Sequence, residues 1–133
     1  IDYGDARTGV AISDLLCSIV GSTAVVPSRN REKLMADILR LIQDNGVGEV
    51  VVGLPKNMDG SEGFRVDATH EFADVLKTIY DGEIVFWDER LSSVGAARFL
   101  NETNTRGKKR KDVLDTVAAC IILDGYLSSQ KNK

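Results

Sequence analysis

Ile1-Asp2-Tyr3-Gly4-Asp5-Ala6-Arg7-Thr8-Gly9-Val10-Ala11-Ile12-Ser13 opens the chain, and its reading sets the fold. Ile1 to Tyr3 has the character of a strand's end. Gly4-Asp5 makes a turn, and Arg7 to Ser13 reads as a second strand with Val10 and Ile12 on one face. A third short strand fits Thr23 to Val26, stopped by Pro27. Segments this close in sequence pair as antiparallel hairpin neighbours. Ile1 is an unusual first residue, so we expect an initiator methionine and a few residues of the same strand to precede it.

Further along, the pattern changes period. Leu34, Met35, Ile38, Leu39, Leu41 and Ile42 recur at helical spacing between Glu32 and Gln43, and Asn45-Gly46 closes that helix. Glu49 to Gly53 carries Val50, Val51 and Val52 in a row, which suits a strand buried on both faces. A turn-rich loop, Pro55 to Ser61, precedes a helix from about Glu62 to Ile79, with Phe72, Val75, Leu76 and Ile79 inward. Glu83 to Trp87 is the next strand, and Ser92 begins a short helix with Val94, Ala97 and Leu100. A basic loop then leads to a last helix from about Asp112 to Leu127, with Val113, Val117, Ile121 and Leu127 inward. A hairpin-rich start followed by βαβ units gives a mixed sheet covered by helices. That layout is the ribonuclease H-like one, and the pattern is shared with other three-layer α/β folds.

The 133 residues fit one domain, 1–133, and 43% hydrophobic residues suffice for a core. No run approaches the roughly 20 apolar residues of a membrane helix, and no signal peptide is visible, so the expected location is the cytoplasm. Cys17 and Cys120 lack CxxC spacing and sit in apolar runs. They read as reduced core thiols, which argues against zinc and against a cysteine nucleophile. His70, the only histidine, lies on a helix without a partner motif and reads as structural. Ser13, Ser92 and Ser93 have no histidine base, so a hydrolase triad is not expected. No Walker or dinucleotide fingerprint is present.

The acids carry more. Asp2 inside a central strand is costly unless it is paired or metal-bound, though a strand-end Asp can also cap a turn. Asp88-Glu89-Arg90 ends a strand, and alternation puts Asp88 and Glu89 on opposite faces, so one can enter a site. Asp112 and Asp115 share a helix face at i, i+3. Acids near a helix N-terminus also favour the macrodipole, an explanation stronger for Asp112 than for Asp115. Ala118 and Ala119 would let the helix approach the sheet. Arg106, Lys108, Lys109, Arg110 and Lys111 put five cations into six residues of a chain with net charge −3. Cations there oppose the helix dipole; phosphate binding would reward them, and a solvated loop is the bland alternative. Several converging carboxylates are what phosphodiester cleavage by Mg²⁺ or Mn²⁺ requires.

Four ordered blocks then match one family together. They are Asp2 to Asp14, Val51 to Gly63, Asp88 to Ser93, and Lys109 to Lys111 followed by Asp115 to Ala119. Together they resemble the YqgF (RuvX-like) family, described both as pre-16S ribosomal RNA nucleases and as Holliday junction resolvases. The resemblance spans nearly the whole chain. It implies a ribonuclease H-like fold: a mixed five-stranded sheet with helices on both faces. It implies trimming of the 5′ end of the 16S rRNA precursor in the bacterial cytoplasm. Carried over by residue, its strand acid falls on Asp2, its DER glutamate on Glu89 and its helix acid on Asp115. Those three would be catalytic and would hold Mg²⁺ or Mn²⁺. Arg7, Asn57, Arg65 and Arg90 lie inside the matched blocks and are candidates for substrate contact, beside Lys108, Lys109, Arg110 and Lys111. The expected partner is structured RNA, with branched DNA as the rival; the protein would be a monomer or a homodimer. A non-cutting ribosome maturation factor is a second rival. An ATPase reading ranks low, because actin-like nucleotide sites need two such domains.

Overall fold

The computed structural model describes residues 1–55, 63–88 and 107–131, with the backbone alone for 107–115 and 131. The described elements are β1 (Arg7–Ser13), β2 (Val20–Pro27), α1 (Arg31–Asn45), β3 (Glu49–Leu54), α2 (Phe64–Lys77), β4 (Glu83–Asp88) and α3 (Gly107–Lys131). β1 and β2 pair antiparallel, from Arg7 opposite Pro27 to Ile12 opposite Ser22. β3 and β4 pair parallel, from Glu49 beside Glu83 to Leu54 beside Asp88. The helix expected from Ser92 and most of the loop after Pro55 lie outside the described residues.

Residues 1 and 2 join the two pairs. Asp2 and Gly9 exchange backbone hydrogen bonds of 2.9 and 3.0 Å, antiparallel to β1. On the other side the Ile1 nitrogen donates to the Val51 carbonyl at 2.6 Å, and the Gly53 N–H donates to the Ile1 carbonyl at 3.0 Å. This is a parallel step along β3.

α1 forms where the spacing predicts it. The Asn30 side chain accepts from the Lys33 N–H at 3.1 Å, capping the first turn. Gly46 takes φ +61° and closes the other end, a conformation that glycine adopts without the Cβ penalty. Leu34, Met35, Ile38 and Ile42 are buried. α2 buries Val66, Thr69, Phe72, Ala73 and Leu76. These residues meet Val10, Val26, Val50 and Val52 in one core, with Ile1, Tyr3, Ile84 and Phe86 packed against it. The valine run of β3 is buried on both faces, as its composition predicts.

Three expectations need correction. Ile79 is 42% exposed, because α2 ends at Lys77; the Thr78 hydroxyl donates to the Val75 carbonyl, and Tyr80 turns into the core instead. Cys17 is an exposed residue at φ +55° in the β1–β2 connection. There the Asp14 carboxylate accepts from the Ser18 and Ile19 N–H groups, so a side chain–capped turn wins over the apolar run Leu15-Leu16-Cys17. The basic segment 108–111 is not a loop: α3 starts at Gly107, five residues before the expected Asp112. Lys and Arg are good helix formers, and their propensity carries the helix back through the run.

Candidate functional site

Asp2 is the fixed point of the site. Its neighbours Ile1 and Tyr3 pack toward the core, and the Tyr3 ring stacks on Phe72 with centroids 4.7 Å apart. Strand alternation therefore turns Asp2 to the opposite face. On that face its lateral neighbours are Gly9 in β1 and Gly53 in β3, two residues without side chains. A half-buried carboxylate thus has a glycine on each flank. Gly4 fixes the turn that follows: a Cβ there would lie 2.5 Å from the Arg7 carbonyl oxygen. This tight turn brings Arg7 back along β1, two residues before Gly9 and so on the face of Asp2.

The parity of β4 sorts the acids at its end. Trp87 is level with Gly53, whereas Asp88 is level with Leu54. Ile84 and Phe86 pack against the core, and Phe86 contacts the His70 ring at 4.8 Å, so Asp88 shares the core-side parity and Trp87 shares that of Asp2. His70 thus serves packing, as its isolation in the sequence suggests.

α3 covers the face of Asp2. Tyr126 donates a hydrogen bond to Glu49, and its ring meets Trp87 edge-on at 6.2 Å. A Cβ on Gly125 would come within 3.1 Å of the Trp87 ring, so glycine lets helix and tryptophan touch. Val117, Ala119 and Ile122 are buried beneath the helix. Ala119, fully buried, supplies the close approach that the small residues predict. The Glu49 hydrogen bond, then burial, push the Tyr126 phenol up to about 12. Burial, then Asp124, push the Cys120 thiol up, which keeps it protonated at neutral pH and unsuited to nucleophilic attack.

Of the sequence candidates, Asp2 and Arg7 are described in full and share a face. Arg65 is exposed on the first turn of α2. Asp115 and Asp112 lie on the backbone of α3, as do Lys108, Lys109, Arg110 and Lys111, whose side chains lie outside the described residues. Asn57, Glu89 and Arg90 also lie outside them. Among the described residues, no three His, Cys, Asp or Glu side chains gather into a metal site. Sequence reasoning missed Gly9 and Gly53. The signal was available, since glycine inside a strand marks close approach to a backbone or ligand. A cleft of about 530 Å³ opens between Ser13, Asp14, Leu41, Glu49 and Tyr126 and reaches Ile1, the residue before Asp2. Among the described residues no helix is long and apolar enough to cross a membrane.

Comparison with known proteins bears on the same residues. A family model described as RuvX, Holliday junction resolvase, matches residues 1–129. A protein of Halothermothrix orenii is 48% identical over 98% of this chain and 93% of its own length. One of Staphylococcus haemolyticus is 44% identical over 97% and 93%, and one of Acetivibrio thermocellus 43% identical over 98% and 94%. Each of the three is named "putative pre-16S rRNA nuclease". With a family model spanning almost all of its length and relatives above 40% identity, the chain belongs to the RuvX (YqgF) family.

Proposed function

We propose that this protein is a metal-dependent endonuclease that processes the 5′ end of the 16S rRNA precursor in the cytoplasm. The observation that carries this is the setting of Asp2: a carboxylate on a central strand, flanked by Gly9 and Gly53, beneath the helix that bears Asp115. The names of the relatives give the substrate. In this reading residues 1 and 2 end the middle strand of a five-stranded ribonuclease H-like sheet, ordered β2, β1, residues 1–2, β3, β4.

The donor set fits a hard divalent ion. Asp2, Glu89 and Asp115 offer only carboxylate oxygens, the ligands that Mg²⁺ and Mn²⁺ favour. Asp88 carries the core-side parity of β4, which argues against it as the third acid and leaves Glu89, the acid that the family resemblance marks. Bound there, the ion supplies Lewis acidity toward the attacking water and the leaving oxygen. Arg7, on the same face, holds a phosphate of the substrate backbone. The cations of the first turns of α3 oppose its dipole, a conflict that phosphate contact relieves. Asn57, Arg65 and Arg90 add contacts around the strand ends.

The test is incubation with pre-16S rRNA, with and without Mn²⁺, followed by sequencing of the product ends. Wild type should cut near the mature 5′ end only with metal. Asp2→Asn, which keeps the shape and removes the charge, should melt like wild type, bind RNA and lose cleavage by at least about 100-fold. Full activity in Asp2→Asn would remove Asp2 from the site. Junction resolution is the second reading, favoured by the description of the matching family model. It calls for a two-fold dimer acting on paired strands. Cleavage of a four-way DNA junction but not of the RNA, by a dimer, would select it.

A further inference from the structure

Phe64 is 75% exposed, and it is the only exposed aromatic side chain among the described residues. Single exposed apolar residues are ordinary on protein surfaces, so its position is what matters. The other exposed large hydrophobics sit elsewhere. Leu15, Leu16 and Ile19 crowd the β1–β2 connection at the far end of the sheet, and Ile79 follows the last turn of α2.

Phe64 is the first residue of α2, the helix that connects the C-terminal end of β3 to the start of the parallel strand β4. Such a crossover helix runs antiparallel to both strands and begins at their C-terminal end. Gly53, level with Asp2, is the penultimate residue of β3. Phe72 of the same helix stacks on Tyr3, the neighbour of Asp2. Phe64 comes eight residues earlier, about 12 Å of helix further toward the strand ends. Arg65, also exposed, follows it in the first turn of α2. An exposed ring beside a cation, at the sheet end that carries the candidate acid, is the combination that binds unpaired nucleotides: the cation tracks the backbone and the ring takes a base.

We infer that Phe64 is a stacking platform for an unpaired base of the substrate RNA, a few nucleotides from the scissile phosphate, with Arg65 on the adjoining phosphate. This rests on the nuclease reading above. It adds that the substrate crosses the strand ends, from the α3 face that holds Asp2 to the α2 face, and that the strand is single there. Stacking tolerates any base, so Phe64 fixes register without reading sequence.

Binding, not cleavage, tests it. Fluorescence anisotropy is measured with a single-stranded RNA 12-mer and with a blunt duplex of the same sequence, divalent ions being chelated. Phe64→Ala and Phe64→Leu should weaken single-strand binding about 5- to 150-fold. Phe64→Trp should restore it, with quenching of the new indole by RNA. Duplex binding should be unchanged in all three. The slope of log affinity against log salt should stay at the wild-type value in Phe64→Ala and fall in Arg65→Ala, because only the guanidinium displaces counterions. Equal single-strand affinity of Phe64→Ala and wild type would overturn the inference and leave the nuclease reading intact. Wild-type affinity in Phe64→Leu would overturn stacking in favour of plain apolar contact. Failure of wild type to bind either RNA would bring down the nuclease reading itself, and this inference with it.

Discussion

The two faces of the sheet are built from the same strands to opposite ends. The face under α1 and α2 is filled by Leu34, Ile38, Val52, Phe72 and Leu76, each at most 2% exposed, with no ionisable side chain among them. The face under α3 carries Asp2, Gly9, Gly53, Glu49, Trp87 and Arg7, packed under a helix that approaches through Ala119 and Gly125. Dense aliphatic packing supplies stability on one side. On the other, glycines take the two positions beside a carboxylate, at the cost of apolar contact. A face proposed to admit a charged backbone cannot also be a close-packed core.

Truncation on each face measures that difference. The largest expected effect is from Phe72→Ala, which empties a fully buried position under Tyr3; it should cost about 3–5 kcal/mol in chemical denaturation. A loss below about 1 kcal/mol would mean that the α2 face is not the main core. Enlargement tests the other face. Gly125→Val places branched methyls against the Trp87 ring and should cost about 1–3 kcal/mol, with a shift in the emission of the single tryptophan. An unshifted spectrum would show that α3 moves away without disturbing the strand. The smallest effect is expected from Tyr126→Phe, within about 1 kcal/mol at pH 7. Its signature is in pH. The folded phenol, raised to about 12, lies above the ordinary 10.0, so its contribution is complete below pH 10 and fades as pH rises toward 12. Spectrophotometric titration should show a late tyrosine step near pH 12 that disappears in Tyr126→Phe. Loss of an earlier step instead would break the Glu49 assignment.

Much of the fold was legible from periodicity. The helix of 31–45, the valine strand and the opening hairpin follow from spacing, a capping Asn-Gly pair and turn residues, which act over a few positions. The errors share a cause as well. Cys17 and Ile79 looked inward because apolar runs were read as core, whereas the Asp14-capped turn and the end of α2 at Lys77 decided their exposure. The start of α3 was misplaced because a charge cluster reads as a loop, although its residues are good helix formers. For the site, the family resemblance offered Asp2, Glu89 and Asp115 as candidates, whereas local pattern alone could not separate Asp88 from Glu89.

By itself, then, the sequence determined most element types and the family resemblance, and through that resemblance offered Asp2, Glu89 and Asp115 as candidate acids, since these depend on order, motif and short-range spacing. Only the tertiary structure decided which face Asp2 occupies, that Gly9 and Gly53 flank it, and that Asp88 shares the core-side parity. Those facts are set by register between strands far apart in the chain, and a shift of one residue would turn every side chain to the other side.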